Sequence, residues 1–209
     1  MTSATHISQY TPTDDVPELG EAELHPFFAE RTFDEQASRG QESRGRSLRD
    51  QLTDLVRPDT ALWNARELRD LTSNVSSELT GPLLDIAEVR EQRRWWARLA
   101  LTAGVELWLL TWAPGQGTEP HDHGGASGSF TVLFGQLREN YRYPPGPIRA
   151  ADHEVGSAIG FGTERAHEVR NISSVNSASV HAYSPPLLPV RDYEHLDDVP
   201  PVADSGDRR

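Results

Sequence analysis

Val105-Glu106-Leu107-Trp108-Leu109-Leu110-Thr111-Trp112, followed shortly by Gly115-Gln116-Gly117-Thr118-Glu119-Pro120-His121-Asp122-His123, is the stretch that decides how this chain is read. The first run has the length and apolar character of a strand. The second places two histidines two positions apart just beyond it. On an extended backbone residues i and i+2 point to the same side. His121 and His123 can therefore aim their imidazoles at one point inside a β-structure, while Asp122 faces away. Two neutral imidazoles converging on one spot is how proteins hold a transition metal.

Working outward, short apolar or alternating runs recur between Gly, Asn, Ser and Pro turns. They predict strands over 105–112, 130–134, 137–143, 154–159, 166–172 and 178–183. Regularly spaced short strands indicate an antiparallel barrel or double-sheet roll. Before them the pattern is helical. Ser47 with Asp50 three residues on resembles a capping box, and Leu48, Leu52, Leu55 and Val56 form one apolar face behind it. Further helices are predicted within 60–71 and within 82–90, where Gly81-Pro82 marks a start. The fold class is thus mainly β, a small N-terminal helical region preceding a barrel. Residues 1–45 are polar and lack sustained periodicity, so a flexible segment is expected there. Residues 46–193 make one domain, and the acidic, Pro-containing tail 194–209 is expected to be mobile.

Composition removes several function classes. The formal charge of −12 argues against a nucleic acid or an anionic membrane surface as partner. All 20 basic residues are arginine, which excludes lysine Schiff-base chemistry. With no cysteine, disulfides, thiolate ligands, iron–sulfur clusters and a cysteine nucleophile are excluded too. No stretch has the apolar length of a membrane span, and no secretory signal is visible. A cytoplasmic monomer is the expectation.

Gly115, five residues, His121-x-His123 and then Gly135 twelve residues later match the first cupin motif in all but one place. That motif carries a glutamate four or five residues beyond its second histidine, and Gly124-Gly125-Ala126-Ser127-Gly128 has no carboxylate there. The second motif ends in a histidine followed four residues later by asparagine. His167-Glu168-Val169-Arg170-Asn171 fits, with Gly156 at the leading glycine, while Gly162 and Glu164 replace the internal proline and glycine. Further on, Ser179-Val180-His181-Ala182-Tyr183-Ser184-Pro185-Pro186 sets Ser179, His181 and Tyr183 on one face of a strand, in a spacing that allows a hydrogen-bond chain.

Cupin histidines without the glutamate, followed by Ser-x-His-x-Tyr-Ser-Pro-Pro, resemble the cysteine dioxygenase family of thiol dioxygenases. The resemblance spans about residues 94–193. It implies a cupin double-stranded β-helix, the jelly-roll barrel, holding Fe(II) on His121, His123 and His167. The implied reaction adds both atoms of O2 to a small thiol, turning L-cysteine into cysteine sulfinic acid. The family's carboxylate-binding arginine lies in a Tyr-x-Arg element, matched here by Trp96-Ala97-Arg98, so Arg98 is the expected substrate-binding residue. Tyr183, backed by His181 and Ser179, is the implied catalytic group. Animal members cross-link a cysteine to that tyrosine; the aligned position here is Gly128, so Tyr183 acts without a thioether. The alternatives are a dioxygenase of 3-mercaptopropionate or another small thiol, a cupin isomerase or oxygenase using Mn, Ni or Zn, and a non-catalytic metal-binding cupin.

Overall fold

Ser47 opens the first helix, α1 (Leu48–Val56), by accepting the Asp50 backbone N–H on its hydroxyl at 3.1 Å. The computed structural model of the chain describes residues 47–186 and 188–201. The N-terminal segment expected to be flexible lies outside them. Helix α2 (Ala65–Glu78) begins at Asn64, whose side chain accepts from Arg66 N and Glu67 N while Glu67 bonds back to Asn64 N. It starts later and runs seven residues further than the predicted 60–71, since Thr72, Val75 and Ser76 bury their side chains. Tertiary contact here overrides the weak propensity of a Ser/Thr/Asn-rich segment. Helix α3 (Thr80–Ile86) takes Pro82 into its first turn and ends before the predicted limit at 90.

Ten strands follow: β1 (Trp95–Leu101), β2 (Glu106–Trp112), β3 (His121–Asp122), β4 (Ser127–Phe134), β5 (Gln136–Arg142), β6 (Arg149–Glu154), β7 (Ala158–Phe161), β8 (Ala166–Arg170), β9 (Ser177–Ser184) and β10 (Arg191–Asp192). They form two five-stranded sheets, β1-β2-β9-β4-β7 and β10-β3-β8-β5-β6, paired antiparallel throughout. This is the cupin double-stranded β-helix the sequence predicted. Two elements differ. The strand predicted over 154–159 is the end of β6, a turn at Gly156 (φ 80°) and the start of β7. Strand β1, with its two tryptophans and an arginine, was not foreseen as a strand.

Strand alternation sorts the side chains into two cores. Leu107, Leu109, Val180 and Ala182 face outward from the first sheet and pack with Leu68, Leu71 and Val75 of α2. Each fully buried Leu or Val there contributes about 1.5–3 kcal/mol. Buried hydroxyls stitch the same contact, with Thr72 Oγ1 2.8 Å from Ser129 Oγ and accepting from Thr131 Oγ1 at 2.9 Å. Between the sheets lies the second core, Trp112, Phe130, Val132, Leu137, Phe161 and Val169.

The tail expected to be mobile from 194 is held down through its described part. A 3-10 turn at Leu196–Asp198 buries Leu196 and Val199 against Ala166, and Arg142 Nη1 donates to the Leu196 carbonyl at 3.1 Å. Two apolar residues among the acids suffice to anchor it. No helix among the described residues is long and apolar enough to cross a membrane.

Candidate metal centre

Strand β3 is only two residues long, and its place in the second sheet sets His121 directly opposite His167 on β8. His123 follows one step past the strand. The three rings lie 4.7–5.0 Å apart by centroid, and one nitrogen from each falls within 4.8 Å of the others. Asp122 turns away, accepting from Gly124 N at 2.7 Å and from the Tyr193 hydroxyl at 2.6 Å. Gly124 takes φ 61° in that turn, and a Cβ on it would stand 2.4 Å from the Pro189 carbonyl oxygen.

All three imidazoles are buried. Burial, the neighbouring His167 and more distant charges push His121 down to about 3, its bond to the Glu119 carbonyl only partly offsetting them. His123 is driven well below the ordinary range, by burial first and by His121 and His167 next. They are neutral bases with lone pairs to give. His121 Nδ1 donates to the Glu119 carbonyl at 2.8 Å, which leaves its Nε2 as the free base. His123 has both ring nitrogens enclosed and without a hydrogen-bond partner among the described residues. An enclosed imidazole with neither nitrogen satisfied is costly by itself, and a metal ion is the group that answers it. The residues fit a borderline transition metal such as iron(II).

Behind His167 stands Glu139 of β5, fully buried. Its Oε1 accepts from His167 Nδ1 at 2.6 Å and Arg165 Nε at 3.0 Å. Its Oε2 accepts from Arg165 Nη2 at 2.5 Å and His153 Nε2 at 3.1 Å. Burial alone would raise this carboxyl; hydrogen bonds from His153 and His167, with the electrostatic pull of His167 and Arg165, outweigh it and hold it well below the carboxylate range. Four donors fill the roughly four acceptor sites of an ionised carboxylate.

On the opposing sheet Ser179, His181 and Tyr183 form a chain, with Ser179 Oγ 2.8 Å from His181 Nε2 and His181 Nδ1 3.2 Å from the Tyr183 hydroxyl. The chain begins one residue earlier than the sequence suggested, because Trp112 Nε1 donates to Ser179 Oγ at 2.9 Å. His181 is kept neutral, chiefly by burial and then by the other cations and imidazoles. The Tyr183 phenol is pushed above its ordinary range by burial and by Glu106, so it holds its proton. Tyr183 stacks on His123, ring centroids 4.7 Å apart, which brings the chain to the edge of the histidine cluster.

Arg98 shares the inner face of the first sheet with His181, with β2 between them, through the register Arg98↔Trp108↔His181. Its guanidinium lies 5.7 Å over the Trp108 ring. A second arginine, passed over in the sequence, lies closer to the relay. Arg94 rests 4.7 Å over Trp112, donates to the Gly117 carbonyl at 3.3 Å and has an enclosed Nε with no partner among the described residues. Burial lowers its pKa, the Tyr183 oxygen countering, and its own charge is felt at His121 and His181. Trp112, assigned to the core from sequence, is in the core and also the end of the hydrogen-bonded chain. Glu139 and Arg165 went unnoticed as well; a carboxylate between Leu137 and Tyr141 on the inward face of an alternating strand was the available signal.

Gly128 shares that inner face, and a Cβ there would stand 2.4 Å from the Phe161 ring and 3.0 Å from the Tyr183 ring.

A family model described as cysteine dioxygenase type I matches residues 40–196. A cysteine dioxygenase type 1 of Danio rerio is 29% identical over 98 residues, covering 42% of this chain and 49% of the relative, so the match spans about half the relative's length. Among solved structures, a double-stranded β-helix protein from Klebsiella pneumoniae is 15% identical with a TM-score of 0.45, covering 54% of this chain and 95% of that one. An oxalate oxidase in complex with the substrate analogue glycolate is 15% identical with a TM-score of 0.46, covering 51% of this chain and 59% of that one. Likeness of that degree says nothing of the reaction.

Proposed function

The chain belongs to the cysteine dioxygenase type I family, and from that premise we propose that it oxidises L-cysteine with O2 to cysteine sulfinic acid, using iron(II). The observation that carries the reading is the cluster of three buried histidines, with His121 and His123 held neutral, facing a phenol whose proton is retained. Iron(II) on His121, His123 and His167 would supply coordination of the thiolate and activation of O2, both atoms of which end on sulfur. Three neutral ligands leave the full +2 charge to favour an anionic sulfur, where a carboxylate ligand would leave +1.

The protein's own groups orient and donate. In this reading Ser179 Oγ accepts from Trp112 Nε1, which is a donor only, and turns its own single proton toward His181 Nε2. Neutral His181 then carries its proton on Nδ1 and donates it to the Tyr183 oxygen. The Tyr183 proton is left to point away from His181, toward the cluster on which the ring stacks. The phenol is therefore a hydrogen-bond donor to whatever is bound beside His123.

The substrate carboxylate is assigned to the arginine side of the pocket. Arg98 would reach it from β1, across β2 from His181. Arg94 adds a second, largely enclosed cation whose Nε has no partner until an anion arrives. A charge-assisted bond of this kind is worth about 1.5–3 kcal/mol.

The decisive assay loads the protein anaerobically with Fe(II) and records O2 uptake with L-cysteine and, separately, with 3-mercaptopropionate. Sulfinate is identified by mass. Conversion of cysteine with a gain of two oxygen atoms and little turnover of the other thiol supports the reading. Preference for 3-mercaptopropionate moves the substrate. Uptake with neither, despite bound iron, leaves a metal-binding cupin of another function.

A further inference from the structure

We propose that Glu139 is the positioning residue of the metal centre, returning through His167 the carboxylate that the first cupin motif lacks, with Arg165 as the counter-charge that limits its effect. The proposal rests on the reading that the three histidines hold a metal, and its measurement is independent of any thiol reaction.

The geometry carries the argument. Glu139 is fully buried, and its oxygens are saturated by His167 Nδ1, His153 Nε2 and two nitrogens of Arg165. A saturated, ionised carboxylate only accepts, so His167 must carry its proton on Nδ1 and offer Nε2. The 2.6 Å contact from His167 Nδ1 to Glu139 Oε1 is the shortest His bond in the cluster. A short bond to an anion pushes charge onto the imidazole and raises its strength as a base toward a metal. His121 has only a backbone carbonyl in the same place, and His123 has nothing. The three ligands are thus unequal, and His167 is the strongest.

Arg165 works against this. It takes one contact on each Glu139 oxygen, and its guanidinium is clamped 3.6 Å over the Tyr141 ring, so it cannot swing away. It withdraws charge from the carboxylate and adds its own positive charge behind the site. Opposite effects on the metal therefore follow from removing the two partners, although both substitutions damage the same ion pair.

The test is an anaerobic Co(II) titration of the metal-free protein against a competing chelator at pH 8, with ¹⁵N NMR of the His167 ring. Glu139→Gln is expected to weaken Co(II) binding about 10–100-fold, with the His167 signal losing its shift toward imidazolate. Arg165→Met, which keeps the carboxylate, is expected to bind Co(II) about threefold tighter or more. A folded Glu139→Gln protein with parental Co(II) affinity overturns the proposal, as does weakening by Arg165→Met. Should Glu139→Gln fail to fold, Arg165→Met decides alone: tighter binding upholds the proposal, while equal or weaker binding marks the network as a structural plug. Unchanged metal data beside absent thiol oxidation would fault the substrate reading and leave this inference standing.

Discussion

Trp112 Nε1 donates to Ser179 Oγ at 2.9 Å, so the buried chain behind Tyr183 runs through His181 and Ser179 to an indole. Removing the middle of the chain with Ser179→Ala strands the indole N–H and frees His181 to take its other tautomer. We expect kcat to fall about 10²-fold at little change in KM, and stability to fall by about 1–3 kcal/mol. Steady-state kinetics and denaturant unfolding check both. An unchanged kcat would mean that the phenol does not need a fixed proton.

The two arginines separate by substrate. Arg94→Gln and Arg98→Gln should each raise KM for L-cysteine, and Arg94→Gln should do so more strongly because its enclosed Nε has no other partner. A loss of about 1.5–3 kcal/mol corresponds to roughly a 10–100-fold effect on kcat/KM. Cysteamine, which has no carboxylate, is the control. A variant that slows both thiols equally does not hold the carboxylate.

Gly128 leaves no room for the cross-linking cysteine of the animal enzymes. A Cβ there meets the Phe161 ring at 2.4 Å, so Gly128→Cys must displace Phe161 or Tyr183 before any thioether could form. We expect a destabilisation of about 1–3 kcal/mol and lower activity. Gly128→Cys/Phe161→Leu should recover part of the stability. Full stability of the single variant in thermal melts would contradict this packing.

Metal-free protein should be acid-labile. His121 titrates at about 3 in the folded chain against about 6.5 unfolded, and His123 and His181 are shifted the same way. Between those values the unfolded chain binds more protons, so stability rises with pH. It is complete above about 6.5 and lost as pH falls, by up to about 1.4 kcal/mol per pH unit for each imidazole. Melting temperatures of chelator-treated protein from pH 8 to 5 should drop steeply, and bound metal should flatten the upper part of that curve. A flat curve without metal would show that these imidazoles are not buried bases.

Much of this centre could be read from the chain because period-2 alternation is a local property. His121-x-His123 and Ser179-x-His181-x-Tyr183 declare their common faces without any knowledge of the fold. What lay hidden depends on pairing across sequence distance. Glu139 becomes significant only when β5 lies beside β8, and Arg94 only when its loop folds over Trp112. Trp95–Leu101 escaped notice as a strand because one side of it meets α1 and the other meets Trp108, so no simple alternation results. The length of α2 was concealed by Thr72, Ser73, Asn74, Ser76 and Ser77, whose hydroxyls and amide read as a loop until the sheet is there to bury two of them.

The three histidines and the proton chain ride on different sheets. His121 and His167 belong to one, Trp112, Ser179, His181 and Tyr183 to the other. Phe130 of the first sheet meets His153 of the second at 5.1 Å, and Phe161 of the first touches His123 and His167 at 5.3 and 5.2 Å. These two rings act as shims that set the gauge between the sheets. The alignment of the chemistry is thereby a matter of thickness: a lost or added carbon at either phenylalanine would leave every reacting group in place on its own strand and mis-space the pair.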